Sequence, residues 1–369
     1  MAFNPYPSDE TEITLDWLNG ALAESAHPAA GKIFACEASK LDTEGNTGWY
    51  ALAQIESEPG SGLPDELFFK VATAYDLAIT SQYENYSTEI AFYRDIVPGT
   101  PGRFLQFIYG KADESTDRGI VVIEAFDPRL TLDTFRGVSL TDAGLTLTTM
   151  AKLQATWWDR PIPATLAGSS LSRFNMFMDW GLNALRPAWH THREALREGL
   201  PPEAHGAVEQ VLASPESLLN PLAEFPRTIT QVDSRAENVA ILEDDGPPQA
   251  VIFDWQRAMS GPALLDVAYF IGTSVRVEDQ TKAGELLDGY LQEASSIVTE
   301  VPELNTARRM LALGSINALL IRLMARSGQF GEWVDSGFKI EDGDWSLKTI
   351  VRTANLVELL GGRSVLNES

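Results

Sequence analysis

The sequence predicts an α+β protein in two unequal parts, a small β-rich part with a helix and then a larger, mainly helical part. Three observations carry this reading. As far as Phe126, short β-prone runs alternate with turns built from Gly, Pro and Asn. From Leu140 onward, apolar residues recur at helical spacing over long stretches. One β-prone interruption, Thr228 to Leu242 and then Ala250 to Trp255, breaks the helical run. The length of 369 residues suits about two parts at roughly 150 residues each. A boundary near Phe126 gives a first part of residues 1–126 and a second of residues 127–369.

The elements follow in order. Ser8, Asp9 and Thr11 offer N-cap oxygens to a helix whose apolar positions are Ile13, Leu15, Trp17, Leu18, Ala21 and Leu22. Ile33 to Leu41, Gly48 to Ile55 and Leu67 to Ala72 read as three antiparallel strands. The turns between them are Glu44-Gly45-Asn46-Thr47-Gly48 and Pro59-Gly60-Ser61-Gly62. Tyr83 to Ile96 reads as a helix stopped by Pro98. Arg103 to Tyr109 and Gly119 to Ala125 read as two more strands. The second part predicts helices over Asp142–Trp158, Arg173–Ala184, Ala204–Ala213, Leu264–Gly272, Thr281–Ala294, Thr306–Arg326 and Trp345–Gly361, with a buried strand pair at the interruption.

Composition narrows the function classes. The chain has 28 basic and 52 acidic residues, a formal charge of −24. Such a surface repels the phosphates of nucleic acids and anionic membranes, so neither is an expected partner. The acidity suits a cationic substrate too, but a solvated, soluble surface explains it without one. The single Cys36 excludes an intrachain disulfide and a multi-cysteine metal site, and four histidines make a histidine cluster a poor expectation. No basic segment followed by an apolar run opens the chain, and no apolar run approaches the roughly 18 residues that span a bilayer. A cytoplasmic setting is the expectation that follows.

The interruption holds the chemistry. It reads Thr230-Gln231-Val232-Asp233-Ser234-Arg235-Ala236-Glu237-Asn238-Val239, and a second run reads Val251-Ile252-Phe253-Asp254-Trp255. Apolar runs flank an Asp in a loop, an Asn five residues on, and an Asp closing the next strand. Three hard oxygen donors of this kind suit Mg²⁺, which takes few protein ligands and leaves room for substrate phosphates.

This pattern resembles the catalytic core of aminoglycoside phosphotransferase-type kinases, and more closely their ecdysteroid-kinase-like and choline-kinase-like branch. Phe68-Phe69-Lys70-Val71 is similar to that family's third-strand lysine segment. Glu89-Ile90-Ala91-Phe92-Tyr93-Arg94 is similar to its helix motif, and Ala151 to Trp158 to the helix before its catalytic loop. Gly261-Pro262-Ala263-Leu264-Leu265-Asp266 resembles the stretch after its second metal aspartate. The likeness runs in order over roughly residues 11 to 330. It implies a protein-kinase-like two-lobed fold and transfer of the γ-phosphate of ATP to a hydroxyl of a small molecule. Lys70 would bind the α- and β-phosphates with Glu89 holding it. Gly45, Asn46, Thr47 and Gly48 would bring backbone amides to the phosphates, and adenine would sit near the linker Glu124-Ala125-Phe126-Asp127. Asn238 and Asp254 would hold Mg²⁺, and Asp233 would accept or orient the proton of the acceptor hydroxyl. Arg235 would touch the transferring phosphoryl group, or else pair with Glu237 or Asp254.

Two departures stand out. The family usually has His-Gly before the catalytic aspartate, where this chain has Gln231-Val232, and often has histidine at the position of Gln154. The missing pair keeps a nucleotide-binding pseudokinase with a regulatory role in view, and the acidic charge suggests a further alternative, an aminoglycoside-resistance kinase. Asp266 reads as a structural brace of the catalytic loop or a helix cap.

Overall fold

A computed structural model describes residues 3–45, 48–72, 86–113, 115, 118–163, 166, 171–243, 246–339 and 344–367. The chain divides into two compact units. The first comprises Met1–Gly99, Phe104–Pro128 and Phe253–Arg257; the second comprises Thr100–Arg103, Arg129–Ile252 and Ala258–Ser369.

The first unit opens with helix α1 (Leu15–Glu24), capped by the Thr14 side chain, which accepts from the Trp17 amide. Leu18, Ala21 and Leu22 recur on one face and are fully buried. Strands β1 (Ile33–Gly45), β2 (Gly48–Ser57) and β3 (Glu66–Ala72) follow, then helix α2 (Tyr86–Ala91) and strands β4 (Phe107–Asp113) and β5 (Arg118–Glu124). They form one antiparallel sheet of order β1-β2-β3-β5-β4. Trp17 of α1 packs on Phe69 and Tyr109, which joins the helix to the sheet in one core. The predicted strand at Arg103 to Tyr109 lies four residues later, at β4. Of the predicted helix at Tyr83 to Ile96, residues 83–85 lie outside the described residues, and the rest is interrupted: from Phe92 to Ile96 the backbone widens into a π-helical turn. Such a bulge often re-aims side chains near functional groups. Here Phe92 stacks on Trp255 with centroids 3.7 Å apart and an 8° interplanar angle.

The second unit contains α3 (Leu140–Thr156), α4 (Leu171–Gly199), α5 (Pro202–Ala213), α6 (Glu216–Ala223), β6 (Arg227–Thr230), β7 (Val239–Leu242), β8 (Gln249–Ile252), β9 (Met259–Pro262), α7 (Leu265–Ser274), α8 (Ala283–Ser295), α9 (Leu304–Arg326), α10 (Phe330–Asp335), α11 (Trp345–Leu359) and the short α12 (Gly362–Val365). The single strand pair expected from the sequence is two antiparallel ribbons, β6 with β9 and β7 with β8. The polar stretch Gln231–Asn238 splits the β-prone run, so each half pairs with a different later strand. The helix expected at Arg173 to Ala184 runs on to Gly199 through Pro187, and α6 was not anticipated. Helix α9 and its continuation, Leu304–Asp335, are long and apolar enough to cross a membrane by length and composition, contrary to the sequence expectation. However, 78% of its most apolar stretch is buried inside the protein, as in a core helix.

Candidate active site

In the first unit, Lys70 lies on β3, paired with Tyr50 of β2 and Val121 of β5. Its neighbours Phe69 and Val71 point into the core, so strand alternation puts Lys70 on the opposite face. Lys70 is nonetheless buried, 5% exposed, and its Nζ is 2.8 Å from Glu89 Oε2 on α2 and 2.8 Å from Asp254 Oδ1. Glu89 Oε1 accepts from the Trp255 amide at 3.3 Å, which ties α2 to the segment bearing Asp254.

Burial alone would push the Lys70 pKa down. The carboxylates of Asp254 and Glu89 outweigh it and hold the ammonium charged, well above its usual value. Burial raises the Glu89 pKa, and the Lys70 charge opposes that rise. With all three groups ionised, the cluster carries one positive and two negative charges. Asp254 is its solvent-facing member, with a side chain 31% exposed. Asp254 lies two residues beyond β8 rather than at the strand's end, in the left-handed region with φ 62°. An Asp tolerates that conformation better than most residues.

Other expected nucleotide contacts fall in the same unit. Gly45 pairs with Gly48 across the β1–β2 turn. A Cβ at Gly48 would lie 2.0 Å from the Val71 carbonyl oxygen, so only glycine fits there. Asn46 and Thr47 lie outside the described residues. Glu124 ends β5 opposite Leu67 and accepts from the Gln106 amide through Oε2 at 3.0 Å. Phe126 meets Phe253 with ring centroids 5.1 Å apart.

In the second unit, the stretch after β6 forms a tight loop. Asp233 O accepts from the Arg235 amide at 2.9 Å and from Asn238 Nδ2 at 2.8 Å. Because the Asn238 nitrogen is turned to that carbonyl, its Oδ1 is the atom left for a cation. Asp233 Oδ1 accepts from the Tyr269 hydroxyl at 3.3 Å, and Arg235 reaches Asp233 at 3.6 Å and Glu237 at 3.3 Å. The loop is also held from outside, by Ser274 Oγ accepting from Ala236 N and by Thr134 Oγ1 accepting from Glu237 N.

Asp266, at the start of α7, is the principal brace. Its Oδ2 accepts from the Gln231 amide at 2.7 Å and its Oδ1 from the Val232 amide at 3.0 Å. Gln154 Nε2 approaches Oδ2 at 3.3 Å, and the Tyr290 hydroxyl donates to Gln154 Oε1 at 2.6 Å. Burial raises the Asp266 pKa to about 6, although the Gln231 and Val232 amides hold it down. The brace therefore runs through the backbone of Gln231, a group every residue carries, so the missing histidine side chain does not remove it.

Sequence reasoning passed over several residues around this loop. Tyr269, Arg322, Arg326 and Trp345 lie 36 or more positions from Asp233, and no local pattern links them to it. Among the described residues, no three His, Cys, Asp or Glu side chains group as a metal centre.

Comparison with known proteins bears on both units. The structure resembles that of a protein from Ralstonia eutropha JMP134 assigned to the aminoglycoside phosphotransferases, with a TM-score of 0.50 and 13% identity over 93% of this chain and 96% of that one. Weaker likenesses are to choline kinase from Cryptosporidium parvum (TM-score 0.49, 12% identity, 82% and 87% coverage) and to Plasmodium vivax ethanolamine kinase (0.47, 9%, 91% and 86%). At these identities the likeness speaks to fold alone, and it is the fold expected from the sequence, a small antiparallel sheet unit and a mainly helical one of the protein-kinase-like kind. No curated protein matches by sequence. The model of the phosphotransferase enzyme family matches residues 125–304, the stretch that contains Asp233, Asn238, Asp254 and Asp266. Residues 125–304 thus carry the likeness to the phosphotransferase enzyme family, and the chain is an enzyme.

Proposed function

We propose that this phosphotransferase moves the γ-phosphate of ATP to a hydroxyl group of a small molecule. The observation that carries the reading is the buried Lys70–Glu89 pair closed by Asp254, three residues from distant parts of the chain. A buried lysine held charged by two carboxylates, one of them solvent-facing, is the arrangement expected of a phosphate-binding cation beside a metal-binding carboxylate. When bound, Mg²⁺ would neutralise charge on the β- and γ-phosphates, held by Asp254 and by Asn238 through Oδ1.

The chain's own residues have these roles. Lys70 presents a point charge to the α- and β-phosphates, and Glu89 fixes its position. The backbone amides of Gly45 and Gly48, the pair that flanks the turn, would approach the phosphates. Glu124 and Phe126 contribute to the adenine site. Asp233 takes the proton of the acceptor hydroxyl as the oxygen–phosphorus bond forms and the bond between the γ-phosphorus and the bridging oxygen breaks, releasing ADP. Arg235 lies 3.6 Å from Asp233, within reach of charge developing on the phosphoryl oxygens.

The test is ATP turnover against a broad panel of hydroxyl compounds, with Asp233→Asn as the decisive variant. A loss of 10²-fold or more in kcat with little change in ATP affinity is expected. Full activity in that variant would overturn the role of Asp233. Tight Mg-ATP binding with no turnover on any acceptor would favour the pseudokinase alternative.

A further inference from the structure

Three arginines converge on one tryptophan beside Asp233. The guanidinium carbons of Arg235, Arg322 and Arg326 lie 5.1, 5.0 and 4.9 Å from the centroid of the Trp345 ring. Arg322 and Arg326 are one turn apart on α9, Trp345 is the first residue of α11, and Arg235 belongs to the catalytic loop. Like charges this close repel, and an aromatic face offsets only part of that repulsion.

The carboxylates nearby are unevenly shared. Arg235 has Asp233 and Glu237. Arg322 is 4% exposed, its Nε donates to Thr349 Oγ1 at 3.2 Å, and its Nη2 has no hydrogen-bond partner among the described residues. Arg326 Nε is likewise buried and has no partner among the described residues. Burial, then the charges of Arg322 and Arg235, push the Arg326 pKa down, and Asp344 opposes them. A buried guanidinium N–H without an acceptor is expensive, and two in one cluster describe a site built for an anion. The setting sharpens this, because the chain as a whole carries a charge of −24.

We infer that the Arg322–Arg326–Trp345 cluster, completed by Arg235, binds an anionic group of the acceptor, a carboxylate or a phosphate, so that the enzyme acts on a hydroxyl compound that is itself an anion. This rests on the kinase reading above and specifies its substrate class. The link to the reacting end is short. The Tyr269 hydroxyl donates to Asp233 Oδ1, and the charge of Arg322 bears on the same phenol. An acceptor gripped by its anion at the cluster can present its hydroxyl to Asp233. The anionic group does not react: the new phosphorus–oxygen bond forms at the hydroxyl, whose proton passes to Asp233 while ADP departs. Cationic amino alcohols and aminoglycosides would meet three positive charges and bind poorly.

The test uses a panel sorted by charge: hydroxy acids and sugar phosphates, neutral polyols, and amino alcohols with kanamycin. Calorimetric titration measures binding, and ADP release measures turnover. Saturable binding and turnover with anionic members are expected. Arg326→Gln should weaken both tenfold or more while leaving KM for ATP within twofold. Arg322→Lys, which keeps a charge in the buried position, checks that any loss is not one of folding. The inference is overturned by absence of binding by every anionic member, by preference for neutral or cationic members, or by a rise in KM for ATP in Arg326→Gln, which would assign the cluster to the nucleotide. Turnover that prefers a neutral or cationic compound would sink this inference and leave the kinase reading standing. Anion binding without turnover would do the reverse.

Discussion

Val232 adopts φ 73°, in the left-handed region that a β-branched residue almost never visits. The cost is of the order of 1–2 kcal/mol. The two amides donated to Asp266 hold the backbone there, one of them from Val232 itself. The family resemblance places glycine at this position, which explains why the loop has this shape and why valine strains it. Val232→Gly should keep both hydrogen bonds and relieve the strain, at the cost of a more flexible unfolded chain, about 0.5–1 kcal/mol. A net stabilisation of about 0.5–1 kcal/mol is expected, with kcat within twofold. Denaturant unfolding measures it, and a loss of more than 1 kcal/mol would show that the valine side chain contributes packing that outweighs its backbone strain.

At the scale of elements, Asp266 joins α7 to the loop after β6, and through Gln154 and Tyr290 it joins α3 and α8 as well. Its pKa of about 6 exceeds the ordinary 3.8. The sign follows from linkage. A carboxyl whose folded pKa is raised contributes stability that is fully present below about 3.8 and lost as pH rises through about 6, a swing of about 3 kcal/mol. The ionised form that costs stability is also the better acceptor for the Gln231 and Val232 amides. Stability and activity should therefore part between pH 6 and 4, with kcat falling while this contribution to stability grows. Asp266→Asn should show lower activity and lose the pH dependence centred near 6. An unchanged acid limb in that variant would separate the brace from the rate.

Much at this scale was legible in the sequence, for identifiable reasons. The strands β1, β2 and β3 announced themselves through alternation and their turn residues, whereas Lys70 and Glu89 were singled out only by the family resemblance; the structure brings these two together with Asp254. What stayed hidden was non-local. Nothing near Thr230 says that β6 pairs with Met259–Pro262 rather than with the strand after Asn238. Nothing near Arg322 says that it shares a tryptophan with Arg235, because that meeting depends on how α9 and α11 pack. The π-helical turn after α2 was missed because its apolar spacing differs from helical spacing by only one residue.

At the scale of the whole molecule, the net charge of −24 has a measurable consequence. Surface ion pairs such as Arg94–Asp95 and Arg193–Glu209 contribute little and weaken with salt. The acidic excess acts the other way, since its self-repulsion opposes the compact state and is relieved as the Debye length falls from about 30 Å at 0.01 M to about 10 Å at 0.1 M. Ion pairs are local and few, whereas the excess spans the chain, so the relief should win. The Lys70–Glu89 pair is buried and screened little, so its contribution stays nearly constant across this range. Thermal unfolding followed by circular dichroism should therefore give a higher midpoint at 0.1 M than at 0.01 M NaCl. The same screening should raise kcat/KM for ATP, because an anionic nucleotide approaches an anionic surface, the opposite of electrostatically steered binding. A midpoint that falls with added salt would mean that local pairing, not the overall excess, dominates the electrostatics of this fold. A kcat/KM that falls as well would mean that a local positive field, such as that of the arginine cluster, governs the approach of substrates despite the surface around it.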